Sequence, residues 1–312
     1  MVPLARNNGD FDERRECYDR IAAEALRERL RSDVLLAQGP MGSLLQSECA
    51  AADIPPAFWN VAEPQTVARF HNLYAVAGAE VLITNTFQAS GPCLQRDDIH
   101  QRVGEVNRAA VDCARVRGVD FILGSIGPCG IETEFESSPD YALARSAYRE
   151  QASALLAAGA SGVLLETFSS VAALMPALAG VFDASAGMPV LASFAVDGAG
   201  NLLGDGASIE TAVELLEEWD IDAVGANCCS IEAATIALSR MAAETAMPLM
   251  VRPHGGVPLV AEDGSPVWDE HPERFANACE GWLELGAHLV GSCCGTTALT
   301  TCALAGRLGK LG

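Results

Sequence analysis

The chain has 312 residues, 50% of them apolar, and a formal charge of −21 from 20 basic and 41 acidic side chains. This apolar content excludes a disordered chain, and the length is sufficient for one large domain with its own core. The acidic balance excludes nucleic acid and anionic membrane surfaces as expected partners, because both require a basic face.

No stretch of the sequence reaches the roughly 18–20 apolar residues of a membrane-spanning helix. The longest candidate, residues 171–182, is too short and is interrupted by Pro176. The N-terminus reaches charged residues quickly and has no apolar signal core, so we expect a cytoplasmic protein.

In chain order, residues 1–32 form a charged N-terminal extension in which one helix is predicted over residues 18–30. Eight short runs rich in Val, Ile and Leu follow. They occupy residues 34–39, 81–87, 121–127, 162–167, 189–194, 223–228, 248–254 and 289–294. Because these runs are continuously apolar rather than alternating, they predict parallel strands that are covered on both faces.

The segments between these runs have a helical period. The clearest lie at residues 100–118, 141–158, 208–219, 231–245 and 272–286. Strands that alternate with helices in this way predict an α/β protein, a (β/α)8 TIM barrel over residues 33–312. An open doubly wound sheet is the alternative, but no G-x-G-x-x-G motif opens a helix in this sequence.

Polar and reactive residues collect where the predicted strands end. In a barrel these ends converge on one mouth, which is where active sites are built. The residues at these strand ends include Gln38, Gly39, Thr86, Glu166, Asn227, Cys228, His254, Cys293 and Cys294.

Three of the eleven cysteines form a candidate metal site. Cys228 ends strand six and the pair Cys293–Cys294 ends strand eight, so the closed ring brings them near each other. Three thiolates are a soft ligand set that favours zinc, and a fourth position left open is typical of catalytic zinc. Two accidental cysteine pairs in tight strand ends remain the alternative. Cys229 should face away from the site, since side chains alternate along a strand.

Six short motifs resemble those of the homocysteine S-methyltransferase family, in that family's order. They are GPMGSL at 39–44, TNTF at 84–87, GSIGP at 124–128, ETF at 166–168, GANC at 225–228 and GSCCGT at 291–296. The glycine-bounded Cys-Cys pair with an upstream Asn-Cys is the most specific of these motifs.

The resemblance implies a zinc-dependent enzyme that methylates the thiol of homocysteine to give methionine. Cys228, Cys293 and Cys294 would bind Zn²⁺ and act in catalysis through it, and Glu166 would hold the amino group of the acceptor. The remaining predicted substrate contacts are Gln38, Gly39, Thr86, Phe87, Asn227 and His254. A standalone enzyme that uses S-methylmethionine or S-adenosylmethionine is the most similar type of member.

The sequence departs from the family pattern at three points that concern the acceptor. Gln38 stands where the family has Asp, Ser161 replaces another Asp, and His254 follows Pro253 where Asn is common. His254 is either a titratable group at the mouth or a structural hydrogen-bonding residue.

These departures leave alternatives open. One is a different thiol acceptor or a betaine-like donor. Another is a homocysteine-binding subunit that works with a separate corrinoid methyl-carrier protein. A third is a barrel that binds zinc or a thiol without chemistry. We expect a monomer or a small homo-oligomer that acts on small molecules.

Overall fold

The computed structural model describes residues 8–48, 54–133, 136–260 and 266–311. Its described strands are β1 (Leu35–Leu36), β2 (Val81–Ile83), β3 (Phe121–Ile126), β4 (Gly162–Phe168), β5 (Val190–Phe194), β6 (Ala223–Asn227), β7 (Leu249–Arg252), β8 (Leu259–Val260), β9 (Pro266–Val267) and β10 (Ala287–Val290). Eight of these, all except the β8–β9 hairpin, form one parallel sheet in the order β1-β10-β7-β6-β5-β4-β3-β2. A parallel bridge between Ala37 and Val81 joins the outer strands, so the sheet curls into a (β/α)8 barrel as predicted.

Helices surround this ring and cover its outer face. The described helices are α1 (Asn8–Ser32), α2 (Gly42–Glu48), α3 (Trp59–Ala62), α4 (Pro64–Val76), α5 (Gly91–Arg96), α6 (Val103–Ala114), α7 (Pro139–Ala158), α8 (Val171–Ser185), α9 (Ile209–Glu217), α10 (Ile231–Glu244), α11 (Pro272–Glu284) and α12 (Ala298–Arg307), with a 3₁₀ turn at Pro56–Phe58. Serine side chains cap several of them; the Ser208 and Ser230 hydroxyl groups accept hydrogen bonds from the first turns of α9 and α10.

The helix in the N-terminal extension is longer than the predicted residues 18–30, since α1 begins at Asn8. Its buried Leu26 and Leu30 pack with side chains inside the barrel, such as Leu35 and Leu289. Arg27 reaches Asp222, which directly precedes β6, with Nε 2.7 Å from Oδ1. Helix α1 therefore closes the N-terminal end of the barrel and leaves the opposite end open.

Pro176 lies inside α8, and the helix continues through it. Proline has no N–H to donate to the carbonyl of Ala172 four residues earlier. The Thr133 hydroxyl group donates to that carbonyl instead, at 3.1 Å. A partner from a neighbouring loop thus satisfies the acceptor that proline leaves free. Within the described part of the chain, none of the helices is long and apolar enough to cross a membrane.

Candidate active site

A cavity of about 240 Å³ opens at the carboxyl ends of the barrel strands. Residues from all around the ring line it, as expected for a barrel mouth. They include Gln38, Gly39, Met41, Pro56, Asn85, Phe87, Ser125, Glu166, Cys228, Arg252, Cys293 and Cys294. The cavity therefore brings together most of the residues that the sequence singled out.

Three cysteines form a compact cluster in the wall of this cavity. The Sγ atoms of Cys228, Cys293 and Cys294 all lie within 4.8 Å of one another, and those of Cys228 and Cys294 are 3.8 Å apart. Strand β7 runs between β6, which ends just before Cys228, and β10, which ends shortly before Cys293. Strand order thus places cysteines that are far apart in sequence at one point of the mouth.

Backbone turns, rather than strand alternation, aim these side chains. Strand β6 ends at Asn227, and Cys228 adopts a left-handed conformation with φ of +54°. Cys229 is buried in the core, and this burial raises its thiol pKa to about 12. Cys229 therefore faces away from the cluster as expected, but the cause is the turn at Cys228 and not the pleat of a strand.

The turn that carries Cys293 and Cys294 depends on Gly295. Gly295 has φ of +78°, and its N–H donates to the Ser43 hydroxyl group at 3.1 Å. A Cβ atom at this position would lie 1.9 Å from Cε3 of Trp268. The indole ring thus packs directly on the glycine backbone, which explains why the Cys-Cys pair is followed by glycine.

Replacing Gly295 with alanine should lower the free energy of unfolding by about 2–4 kcal/mol, because the new methyl group overpacks the site and strains a left-handed residue. The matched control is Gly286→Ala. Gly286 has φ of +85° but nothing within 4 Å of the added Cβ atom. We expect only the strain of about 1 kcal/mol there. Urea unfolding of both variants without metal measures the difference; equal losses would contradict close packing by Trp268.

The three thiols of the cluster differ in how strongly their surroundings favour ionisation. Hydrogen bonds from Cys228 and Cys294, with the positive charge of Arg252, hold the pKa of Cys293 well below its usual value against the effect of burial. Hydrogen bonds to Cys293 and Cys294, together with burial, raise the pKa of Cys228. Among the three thiols of the cluster, Cys293 is therefore the one whose surroundings favour the deprotonated form.

This arrangement fits a zinc ion. In a tetrahedral site with Zn–S distances of about 2.3 Å, sulfurs stand roughly 3.8 Å apart. The Cys228–Cys294 separation of 3.8 Å matches that spacing. Soft thiolate ligands also favour zinc over magnesium or calcium. Three protein ligands facing a cavity leave one position for an exogenous ligand.

Asn227 supports the cluster from behind the cavity wall. Its amide nitrogen donates to Cys293 Sγ at 3.8 Å and to the Thr167 hydroxyl group at 2.8 Å. Its amide oxygen accepts from the Thr167 N–H and from the Ser193 hydroxyl group. Asn227 is fully buried. The structure thus places Asn227 behind Cys293, with both amide atoms hydrogen bonded within the protein.

Glu166 and Arg252 form a buried ion pair beside the cysteines. Nη1 of Arg252 lies 2.7 Å from Oε2 of Glu166, and the two side chains are only 3% and 9% exposed. The Ser125 hydroxyl group donates to Oε1 of Glu166. Burial acts to lower the pKa of Arg252, but the neighbouring Glu166 and Cys293 raise it. Both charges line the cavity.

Gln38 and Gly39 form the cavity wall at the end of β1. Oε1 of Gln38 accepts from the Ile83 N–H at 3.0 Å and contacts Nδ1 of His71 at the same distance. His71 is fully buried, which lowers its pKa to about 3, so the ring is neutral. A Cβ atom on Gly39 would lie 2.9 Å from the Tyr74 ring. Glycine therefore lets this turn pack against α4.

The other predicted contacts occupy different positions. Phe87 lines the cavity, and its ring covers the backbone of Gly127. Thr86, in contrast, is fully buried, and its hydroxyl group donates to the Ser125 carbonyl at 2.7 Å. It lies behind the wall, where its hydroxyl group is also 2.6 Å from that of Thr84.

His254 lies at the outer rim of the mouth. It lines a shallow depression that it shares with Cys228, Cys294 and Trp268. Its Nδ1 accepts a hydrogen bond from the Gly256 N–H at 3.0 Å, which favours the structural interpretation of this residue.

Sequence reasoning missed Arg252 and Trp268. Arg252 ends an otherwise apolar strand, and a lone cation at that position was an available signal. Its partner Glu166 is 86 residues away, so the pair itself cannot be read from local sequence. Trp268 follows the β8–β9 hairpin, a segment that has neither the apolar runs nor the helical period used to locate elements.

Comparison with known proteins gives one consistent family. A family model described as homocysteine S-methyltransferase matches residues 35–308. Homocysteine S-methyltransferase from Escherichia coli is 30% identical over 307 residues, which covers 89% of this chain and 96% of that protein. Methionine synthase from Mycobacterium tuberculosis is also 30% identical over 305 residues, but the match covers 90% of this chain and 25% of that protein. The chain thus spans about a quarter of the length of the mycobacterial relatives.

Solved structures support the same fold. The metallated form of the homocysteine methyltransferase MmuM from Escherichia coli aligns with a TM-score of 0.74 at 24% identity, over 92% of this chain and 99% of that one. Its oxidized form aligns with a TM-score of 0.73 at 25% identity, over 89% and 97% of the two chains.

Proposed function

Because the chain belongs to the homocysteine S-methyltransferase family, we propose that it transfers a methyl group from S-methylmethionine or S-adenosylmethionine to homocysteine, giving methionine. The observation that carries this proposal is the cluster of Cys228, Cys293 and Cys294 in the wall of a cavity that also holds Glu166. Such a site can bind an amino acid thiol at two points, its sulfur atom and its amino group.

Cys228, Cys293 and Cys294 would hold Zn²⁺, with Asn227 fixing the orientation of Cys293. Zinc held there would supply Lewis acidity that favours the thiolate form of a coordinating thiol, with the thiol proton released to solvent. The chain itself contributes position and charge: a walled cavity, three anionic ligands and a neutral His71 behind Gln38.

Glu166 is the proposed partner of the acceptor ammonium group. Its two oxygens accept one hydrogen bond each from Ser125 and Arg252, which leaves lone pairs for further donors. Gln38, Gly39 and Phe87 would form the wall against the acceptor. Thr86 would contribute indirectly, by fixing the backbone turn that carries Phe87. His254 would contribute from the rim of the cavity.

The proposed reaction needs no acid catalyst. The acceptor sulfur attacks the donor methyl carbon, the bond from that carbon to the donor sulfonium breaks, and its electron pair stays on the donor sulfur. The donor leaves as a neutral thioether, and the acceptor has already lost its thiol proton. Catalysis then depends on thiolate generation and in-line positioning.

A second candidate follows from the partial match to the longer relatives. The chain aligns with about a quarter of each mycobacterial methionine synthase, so the matched segment there is one part of a larger protein. The corresponding candidate is a homocysteine-binding subunit that accepts the methyl group from a separate corrinoid protein. Because Gln38 stands where the family has Asp, the first candidate includes two variants: a different thiol acceptor and a betaine-like donor.

The test uses the purified chain, reconstituted with zinc under reducing conditions. We expect about one zinc per chain by elemental mass spectrometry. With homocysteine and each donor in turn, we expect methionine to form from at least one onium donor without any other protein. Methionine formation that requires an added methylated corrinoid protein would support the second candidate. Failure to bind zinc would reject both.

A further inference from the structure

Arg252 is a buried cation in the cavity to which the proposed reaction assigns no role. We propose that Arg252 binds the carboxylate of the acceptor thiol, so that Glu166 and Arg252 together recognise the two charged groups of an amino acid. This assignment rests on the proposed function, because it concerns the acceptor of that same site.

The first support is an unsatisfied guanidinium group. The Arg252 side chain is 3% exposed and lines the cavity beside the cysteines. Within the described part of the chain it hydrogen bonds through Nη1 to Glu166, while its buried Nε has no partner. Buried donors of a native protein normally have partners, so this one points to a ligand that the cavity accommodates.

The second support is the shape of the guanidinium group. A guanidinium presents parallel N–H donors that match the two oxygens of a carboxylate, and such bidentate pairs are among the strongest hydrogen bonds in proteins. The bond to Glu166 uses Nη1 and leaves the edge that carries Nε. A carboxylate bound at that edge would give the buried Nε the partner that it lacks.

The third support is the distribution of charge. Among the described residues that line the cavity, Glu166 contributes the carboxylate and Arg252 the guanidinium. Gln38 adds a neutral amide whose oxygen is already engaged by Ile83 and His71. An amino acid carries an ammonium and a carboxylate on one carbon atom. Adjacent opposite charges in the wall match this pair, whereas neither a purely cationic nor a neutral thiol would engage both.

A purely structural role for Arg252 is the competing explanation, in which the guanidinium only neutralises Glu166. The two explanations differ in what happens when the ligand loses its carboxylate. Homocysteine without the carboxylate is 3-aminopropanethiol, and homocysteine without the amino group is 4-sulfanylbutanoate. Both keep the same thiol and chain length, so they isolate each charged group.

The experiment is calorimetric titration of the zinc-loaded protein with homocysteine and these two analogues. In the unchanged protein, loss of the carboxylate should weaken binding about 10- to 100-fold, as expected when a charge-assisted bidentate interaction is removed. In Arg252→Lys, which keeps the positive charge beside Glu166 but lacks the fork, homocysteine and 3-aminopropanethiol should bind within about threefold of each other. The matched control Arg240→Lys alters a surface pair with Glu210 and should retain the full preference.

Equal weakening by carboxylate loss in the unchanged protein and in Arg252→Lys would overturn the proposal, and so would no weakening in the unchanged protein. The comparison of analogues on the unchanged protein holds even if the variant folds poorly. Binding with the predicted preference but no methyl transfer from any donor would sink the proposed function alone. Methyl transfer without the preference would sink this inference alone.

Discussion

Replacing Cys293 with serine is expected to abolish zinc binding and methyl transfer together. Cys293 is the cluster thiol whose pKa is lowered, it accepts a hydrogen bond from Asn227, and its Sγ lies within 4.8 Å of those of Cys228 and Cys294. A serine hydroxyl group is a much weaker acid and a hard ligand, so it supplies no soft anion in its place. Loss of an outer hydrogen-bonding partner of a metal ligand already lowers affinity or activity about 10- to 100-fold. Loss of the ligand itself should exceed about 100-fold in activity.

The measurement is zinc per chain by elemental mass spectrometry, followed by methionine formation under the same conditions. The matched control is Cys229→Ala, which removes the thiol next to Cys228 without touching the cluster. Cys229 is buried in the core at 4% exposure, so this variant should be slightly less stable but should keep its zinc and its activity. Full activity of Cys293→Ser would reject zinc as the source of the nucleophile. Loss of zinc in both variants would indicate general unfolding instead.

The strands of the barrel could be predicted from the sequence, because a buried strand leaves a strong local signal. The runs at residues 162–167 and 223–228 match the strands Gly162–Phe168 and Ala223–Asn227 to within one residue, since a strand covered on both faces is largely apolar. The position of the cysteines follows from the strand order of a closed barrel. Only the interpretation of Cys228 and Cys229 had the wrong cause, because the chain leaves the strand at a left-handed residue that the sequence does not mark.

The sequence was least informative where the site depends on contacts between distant segments. Asn227 and Thr86 sit at strand ends as predicted, yet both are turned behind the cavity wall by hydrogen bonds to other strands. The helix at residues 8–32 has helical periodicity, but nothing local indicates that Leu26 and Leu30 enter the barrel. The buried charge of Glu166 also depends on distant segments, since its carboxylate accepts hydrogen bonds from Ser125 and Arg252 on other strands.

Breaking the ion pair between Glu166 and Arg252 is expected to lower the free energy of unfolding strongly. Removing the carboxylate with Glu166→Ala leaves the buried Arg252 guanidinium without its hydrogen-bonded counter-charge, so that of the neighbours that raise its pKa only Cys293 and Cys228 remain. Breaking a buried ion pair from one side typically lowers the free energy of unfolding by about 3–5 kcal/mol, because the remaining charge is neither hydrated nor paired. The matched control is Glu210→Ala, which breaks the pair with Arg240. Those two side chains are 30% and 27% exposed, so water replaces the lost partner. The expected loss there is about 1 kcal/mol or less.

Urea unfolding of zinc-free protein separates this effect from metal binding. The double variant Glu166→Leu/Arg252→Met removes both charges and should recover most of the stability lost in Glu166→Ala, since apolar replacement of a buried pair is often neutral. Glu166→Ala should nevertheless keep the three cysteines and bind zinc, while its affinity for homocysteine falls. A loss no greater than that of Glu210→Ala would show that water reaches Arg252 in the folded protein. Water in the cavity would then hydrate the Arg252 guanidinium, and its Nε would need no carboxylate as a partner.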